Sequence, residues 1–470
     1  MTKAVVIGSG PNGLAAAVTL AKAGVDVEVL EAAAQPGGGT RSAELTVPGL
    51  IHDECSAFHP LALDTPFSRS VDLGRFGLTW RWPEVQYAHP LDGGRGAAVL
   101  RSVADTAESL GRDGRRWQQV FGPLTDRFDR ITADFLQPVV RMPSHPIAMA
   151  RFGALSATPA SVLAKRWSSD EAQALFGGVA AHALRPLSSP FSSAIGVALG
   201  TAAHAYGWPV AEGGSGAISR AMIAALEEYG GKVETNVRVT SLAELSEPDL
   251  VLMDVTPSAA VRIVGERMPS RIRRALLRYK HGPGLFKVDY ALSGEVPWTY
   301  EPTRRAGTVH VIGDFAELAR AELDVVQGRM PERPFLLVGQ QHLADPSRAH
   351  GNLRPLYAYA HVPAGFRGDA TEQIEAQIER FAPGFRDLIV ARHVQSPAQL
   401  EEHNANYIGG DVTTGANTAR QLVFRPRATL NPYALGVPGV YLCSAATPPG
   451  AGAHGMCGYN AAQAALARLR

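Results

Sequence analysis

The chain opens on a continuous apolar run, Ala4-Val5-Val6-Ile7. Having no polar face, it suits a strand buried on both sides of a parallel sheet. Leu14 to Ala23 follows as a stretch of good helix formers, and Val25-x-Val27-x-Val29-Leu30 returns to the period of a strand. Strand, helix and strand in close succession predict a βαβ unit. The alternation recurs downstream. An amphipathic helix over Ile218 to Tyr229, the pair Gly230-Gly231 and a strand Val233-x-x-x-Val237-x-Val239 precede a second buried strand, Leu250 to Met253. Thr256-Pro257 then opens a helix with an N-cap and a first-turn proline. A third return lies near the C-terminus: a strand over Gly439 to Cys443, a glycine-rich turn from Thr447 to Met456, and a helix from Tyr459 to Leu469.

The turns between these elements carry the chemistry. Gly8-x-Gly10-x-x-Gly13 joins the first strand to the first helix. In such a turn the first glycine permits the bend, the second lets the backbone approach a pyrophosphate, and the third lets helix pack closely on strand. The helix N-terminus offers free N–H groups to the phosphates. Glu31 stands at the end of the second strand, where its carboxylate can accept from both ribose hydroxyls of an adenosine and would repel a 2′-phosphate. Gly37-Gly38-Gly39-Thr40-Arg41-Ser42 comes next. That run resembles the second phosphate-and-ribityl contact of flavoproteins in the glutathione-reductase superfamily, which favours FAD over NAD as the cofactor.

Composition narrows the picture. With 470 residues, 46% hydrophobic and 19% charged, the chain can build two or three cored domains. A net charge of +1 gives no basic footprint, so no nucleic-acid partner is expected. No apolar stretch reaches bilayer-spanning length; the best, Ala194 to Ala205, is short. The first core strand begins so near Met1 that no signal peptide is expected ahead of it, and a cytoplasmic location is the default expectation. Cys55, Cys443 and Cys457 fit neither a metal-ligand spacing nor a C-x-x-C pair, so no metal is expected and a disulfide reductase is disfavoured.

Taken in order, the three segments resemble the phytoene desaturase branch of FAD-dependent, amine-oxidase-type flavoproteins. They also resemble the phytoene-dehydrogenase-like group known as pyridine nucleotide-disulphide oxidoreductase domain-containing proteins. The matching parts are mainly the first sixty residues, the stretch from Tyr206 to Thr256, and Val437 to the end. The resemblance implies that Gly8, Gly10 and Gly13 hold the pyrophosphate and Glu31 the adenosine ribose. It places Gly38, Gly39, Thr40 and Arg41 at the phosphate or ribityl region and Val239 against the adenine. Gly455 and Met456 would aim N–H groups at the flavin pyrimidine edge, where negative charge develops on reduction. Two departures stand out. Where relatives carry an acid after the last strand this chain has Ser444-Ala445, and the glycine doublet is a triplet with the arginine displaced.

The expected fold is α/β: a glutathione-reductase-type, Rossmann-like FAD-binding domain built from discontinuous segments, plus a mixed α+β substrate domain. Residues 1–70, 205–290 and 421–470 are assigned to the first, and 71–204 and 291–420 to the second. Ligand is expected between them. His59, His204 and His454 sit near the flavin-binding turns and are the candidate general bases; a histidine in such a turn also commonly satisfies backbone groups. Cys55, Tyr206 and Trp208 are candidates for the substrate pocket.

The leading expectation is an FAD-dependent dehydrogenase or desaturase passing hydride from an apolar or amine-bearing small molecule to flavin N5. One fingerprint without a second makes a dedicated NAD(P)H domain unexpected, so oxygen, a quinone or another carrier is the expected electron acceptor. Peripheral membrane contact is compatible with an apolar substrate, and nothing in the sequence specifies an oligomeric state. A redox-neutral flavin-dependent isomerase and a flavin-bound regulatory or interaction protein are the alternatives.

Overall fold

The structure is a computed structural model that describes residues 2–469. Its first sheet is wholly parallel, with strands ordered Val440–Leu442, Leu250–Met253, Lys3–Ile7, Asp26–Leu30 and Lys232–Glu234. The three sequence segments that predicted it are distant along the chain and adjacent in space.

Helices cover both faces at Lys3–Ile7 and Leu250–Met253, which is why these strands read as apolar runs, whereas Asp26–Leu30 alternates and Lys232–Glu234 at the edge is largely exposed. Ala4 and Val6 face the helices Pro11–Lys22, Gly216–Glu228 and Met456–Leu469, whereas Val5 and Ile7 face the helix Pro257–Val264. Full burial of each such aliphatic side chain is worth about 1.5–3 kcal/mol relative to exposure. The first and last of the three helices approach so closely that a Cβ on Gly458 would lie 1.8 Å from the Asn12 carbonyl oxygen.

The second sheet has seven strands, ordered Ile389–Gln395, Gly284–Leu292, Arg354–Val362, Leu336–Gly339, Ala306–Val311, Val85–Pro90 and Gly96–Val99. All its pairs are antiparallel except Ala306–Val311 with Val85–Pro90, so the sheet is mixed, as expected. The strand Gly284–Leu292, which straddles the expected boundary at residue 290, pairs entirely within this sheet. Phe286, Val288 and Tyr290 pack on one face against the helix Thr371–Phe381, while Leu285, Lys287 and Asp289 point to the other.

Helices between residues 103 and 205 build a separate apolar layer around Trp117, Trp167 and Phe176. The segment beginning at Phe128 forms a helix, Phe128–Phe135, with Phe128 and Ile131 buried, while Val139 and Val140 beyond it are exposed. Among the described residues no single helix is long and apolar enough to cross a membrane.

Candidate functional site

A cleft of about 960 Å³ runs between the two sheets. Ile7 and Gly8, Leu30 and Glu31, Asp254, and Ser444 line it where four parallel strands end. The carboxyl ends of open parallel sheets are where such folds bind ligands.

The glycine turn is built as its spacing predicts. The helix Pro11–Lys22 has Gly10 as N-cap and Pro11 in its first turn, so no cap side chain stands between its N-terminal dipole and an anion. Gly8 takes a φ of +95°, and a Cβ there would meet the Asp254 carbonyl oxygen at 2.9 Å. Gly13 does not line the cleft: its N–H donates to Asp254 Oδ2 at 3.0 Å, and its missing Cβ lets the helix seat on Gly8. Gly38 approaches Gly10 to within a methyl group, bringing the two glycine loops together.

Glu31 lines the cleft and is already oriented. Its Oε2 accepts from the Ser9 amide at 2.8 Å and the Ser9 hydroxyl at 2.6 Å, and its Oε1 from the Ala33 amide at 2.8 Å. Val239 lines the same end. The backbone reaches it irregularly: the strand stops at Glu234, Asn236 takes a φ of +61°, and the Val237 amide donates to the Glu31 carbonyl at 2.8 Å. Gly38, Gly39 and Arg41 also line the cleft. Arg41 is braced, donating to the carbonyls of Gly38 at 3.0 Å and His403 at 3.1 Å.

Several expected positions are corrected by the structure. Thr40 is fully buried behind the loop, its hydroxyl shared between the Gly37 carbonyl and Ser219. Gly455 packs on Ala15 and Phe67 and does not line the cleft. The Met456 amide is not free either: it donates to His454 Nδ1 at 3.0 Å, so His454 caps the last helix. His454 lines a smaller cavity of about 200 Å³ instead. Ser444, Ala445 and Ala451 to Ala453 occupy the cleft wall where that turn was expected.

Of the three candidate bases only His59 lines the cleft. Its Nε2 meets the Ser215 hydroxyl at 2.9 Å, and that hydroxyl spends its proton on the Ser56 carbonyl at 2.6 Å. His59 Nε2 therefore donates, leaving Nδ1 as acceptor. Burial brings its pKa down to about 4, so the ring is neutral. His204 lies in the helical layer, where its Nε2 accepts from the Trp117 indole at 3.0 Å and burial lowers its pKa to about 4. Tyr206 also lies off the cleft, donating to Asp64 at 2.9 Å, whereas Trp208 and Cys55 line it. Burial raises the Cys55 thiol above its ordinary range.

Sequence reasoning missed other residues of the cleft. Asp254, at the end of Leu250–Met253, touches all three glycines of the turn, and a Cβ on Gly10 would strike its Oδ2 at 2.4 Å. Burial, and secondarily the Glu31 charge, push its pKa up to about 7 against the Gly13 hydrogen bond. Its signal was an acid ending an otherwise apolar strand. Lys287 pairs with Asp289, both fully buried, and sits over the Tyr357 ring at 5.4 Å. Tyr357 and Tyr359 stack with 7° between their planes and line the apolar end with Leu285, Leu337 and Trp208.

The cleft carries polar atoms that the protein leaves for a ligand, one amide acceptor and two hydroxyls. Asn12 Oδ1, Thr414 Oγ1 and Ser444 Oγ all belong to cleft-lining residues, and each is a buried polar atom without a protein partner. Such atoms are costly unless something satisfies them. Ser444-Ala445 stands where relatives carry a glycine-acid pair, so a hydroxyl is available there in place of the carboxylate.

Fold and cleft define a class: a Rossmann-type dinucleotide-binding fold with a second, mixed sheet across the cleft. Comparison with known proteins agrees. The chain matches the NAD(P)-binding Rossmann-like domain over residues 6–65. It is 22% identical to the rat (Rattus norvegicus) pyridine nucleotide-disulfide oxidoreductase domain-containing protein 2, over 99% of this chain and 94% of that protein. It is 24% identical to the lycopene-forming phytoene desaturase of Pseudescherichia vulneris, over 99% of both. Its fold matches that of a putrescine oxidase solved with putrescine, with a TM-score of 0.61 at 17% identity over 100% of this chain and 98% of that one. The resemblance to phytoene desaturase-like and amine-oxidase-type oxidoreductases is thus borne out, and FAD is the dinucleotide expected of that class.

Proposed function

We propose that the protein is an FAD-dependent dehydrogenase or desaturase that removes two hydrogens from an apolar small molecule. One observation carries this reading: a single cleft joins the glycine turn and Glu31 to a wall of Trp208, Tyr357, Tyr359 and Leu337. Bound FAD supplies the hydride acceptor, flavin N5; the protein supplies binding, orientation and exclusion of water.

The roles of the chain's own groups follow from their partners. Gly8, Gly10 and the N-terminus of Pro11–Lys22 cradle the pyrophosphate, Glu31 takes the adenosine ribose, and the Ser444 hydroxyl accepts in place of the carboxylate that relatives carry. His59, neutral and protonated on Nε2, has Nδ1 as the ring's one acceptor for a substrate proton. The apolar end supports an apolar rather than a cationic amine substrate. Among the described residues the only carboxylates lining the cleft are Glu31 and Asp254 at the glycine turn and the exposed Glu402, and Lys287 stands at the apolar end. Residues 71–204 and 291–420 remain the proposed source of most of that end, extended by the strand Gly284–Leu292. Oxygen, a quinone or another carrier as acceptor, a cytoplasmic location and peripheral membrane contact belong to the same proposal.

The test is the visible spectrum of the purified protein, followed anaerobically while apolar alkenes, ketosteroids and amines are added. Bleaching of the flavin bands by an apolar compound, and not by amines, is the expected result. A protein that neither contains nor takes up FAD overturns the reading.

A further inference from the structure

His182 lies at the C-terminus of the helix Asp170–Ala181 and lines the apolar end of the cleft. Its ring stands edge-on to Trp208, with centroids 5.6 Å apart. Behind it, His182 Nε2 and His310 Nε2 are 2.8 Å apart, so one must donate and the other accept. Burial lowers the pKa of His182 to about 3 and that of His310 well below its ordinary value, with each further opposed by a neighbouring histidine, so both rings are neutral.

The tautomers are then fixed by what surrounds His310. That residue is fully buried, and its Nδ1 has no partner. It abuts Gly178, where a Cβ would lie 2.8 Å from Nδ1. A proton on Nδ1 would be an unsatisfied buried donor, which native interiors avoid more strictly than an unsatisfied acceptor. His310 therefore carries its proton on Nε2 and donates it to His182 Nε2. A neutral His182 must in turn carry its proton on Nδ1.

A second polar group stands on the same wall. Thr308, two residues before His310 on Ala306–Val311, lines the cleft, is fully buried, and has a hydroxyl without a partner. Leu199, Leu337 and Trp208, which line the same cleft, are apolar.

We propose that His182, held in its Nδ1–H tautomer by His310, is a hydrogen-bond donor to the substrate, and that the substrate is an apolar molecule bearing an acceptor oxygen. The inference rests on reading this end of the cleft as the substrate end. His182 acts here as a neutral donor that polarises or positions an oxygen and transfers no proton, a use of neutral imidazole known in other enzymes. His310 is the positioning residue behind it.

Two measurements test this. Long-range proton–nitrogen spectra of FAD-loaded protein labelled with nitrogen-15 histidine report each ring's tautomer, with His182 assigned by comparison with His182→Phe. A protonated Nδ1 on His182 is expected; a protonated Nε2 there overturns the proposal. Calorimetric binding of β-tetralone against tetralin, two flat apolar probes that differ by one carbonyl, reads the donor directly. Wild-type protein should prefer β-tetralone by about tenfold, as one net hydrogen bond allows. His182→Phe, with its flavin spectrum retained as evidence of folding, should lose that preference, and His310→Phe should reduce it. An absent preference in wild type, or one that His182→Phe keeps, overturns the proposal. Failure of the FAD reading looks different: no flavin spectrum in wild type, with the histidine tautomer still measurable.

Discussion

Asp254 gives the sharpest test of the cleft's electrostatics, through the substitution Asp254→Asn. The carboxyl is buried against the glycine turn at the cleft wall, and its pKa moves from 3.8 up to about 7 because burial penalises the charged form and Glu31 adds repulsion. An unfolded chain gives up this proton near the ordinary value, whereas the folded chain keeps it to near neutrality. The folded state thus holds an advantage that is complete in acid and is lost as pH rises through about 7. A gap of about three pK units at about 1.4 kcal/mol each sets the full loss at roughly 4 kcal/mol. The amide of Asp254→Asn can accept from Gly13 as Oδ2 does, and it never ionises. Urea unfolding of both apoproteins, followed by tryptophan fluorescence over the acid-to-neutral range, should show similar midpoints in acid. The wild-type midpoint should then fall steadily below the variant's toward neutral pH. Parallel midpoints across the range would refute the argument, because the carboxyl would then be ionised in both states. The pyrophosphate adds a second arm: FAD affinity of the wild type should fall as pH rises past about 7, and that of the variant should not.

The remaining expectations follow from single contacts. Ser444→Ala removes a hydroxyl that has no protein partner, so apoprotein stability should hold or rise slightly while FAD affinity, read by fluorescence titration, drops severalfold. Gly38→Ala places a Cβ 2.9 Å from Gly10 Cα at a φ of +53°; a stability loss of about 1–3 kcal/mol and a lower flavin content after purification are expected. Arg348→Met leaves the fully buried Asp53 without its guanidinium, 2.9 Å away, and should lower stability by about 3–5 kcal/mol, seen as a large fall in Tm. His204→Phe strips the Trp117 N–H of its acceptor and should cost about 1–3 kcal/mol while turnover per bound flavin is unchanged, since His204 lies off the cleft.

The parallel sheet was legible in the sequence because burial on both faces leaves unbroken apolar runs such as Ala4-Val5-Val6-Ile7, and because the glycine turn has one physical use. Legibility failed where a contact depends on register between distant strands. Asp254 reaches Gly13 only because Met253 pairs with Ile7, and nothing local marks residues so far apart as neighbours. The expected strand through Val237 and Val239 failed for a local reason: past Glu234 the backbone turns at Asn236 and hydrogen-bonds to Glu31 instead of continuing the ladder. On the substrate side the information was present but unread. Leu285, Lys287 and Asp289 alternate with Phe286, Val288 and Tyr290, and two opposite charges on one face of an otherwise apolar strand signal a buried pair.

The histidines show why nearness in sequence to a cofactor turn was a poor guide to chemistry. His204 and His454 stand beside the right turns, yet His204 Nε2 accepts from Trp117 and His454 Nδ1 accepts from Met456. Each has spent on the fold the acceptor nitrogen that a base would need. His59 keeps a single acceptor only because Ser215 gives its own proton to Ser56. His182 carries no sequence signal at all, since it closes a helix far from every glycine turn. Its availability is set by His310, more than a hundred residues away, whose buried Nδ1 decides which nitrogen of the pair is protonated. What a ring can do in this cleft is decided by the partner of its other nitrogen, and that partner is a property of the packed interior.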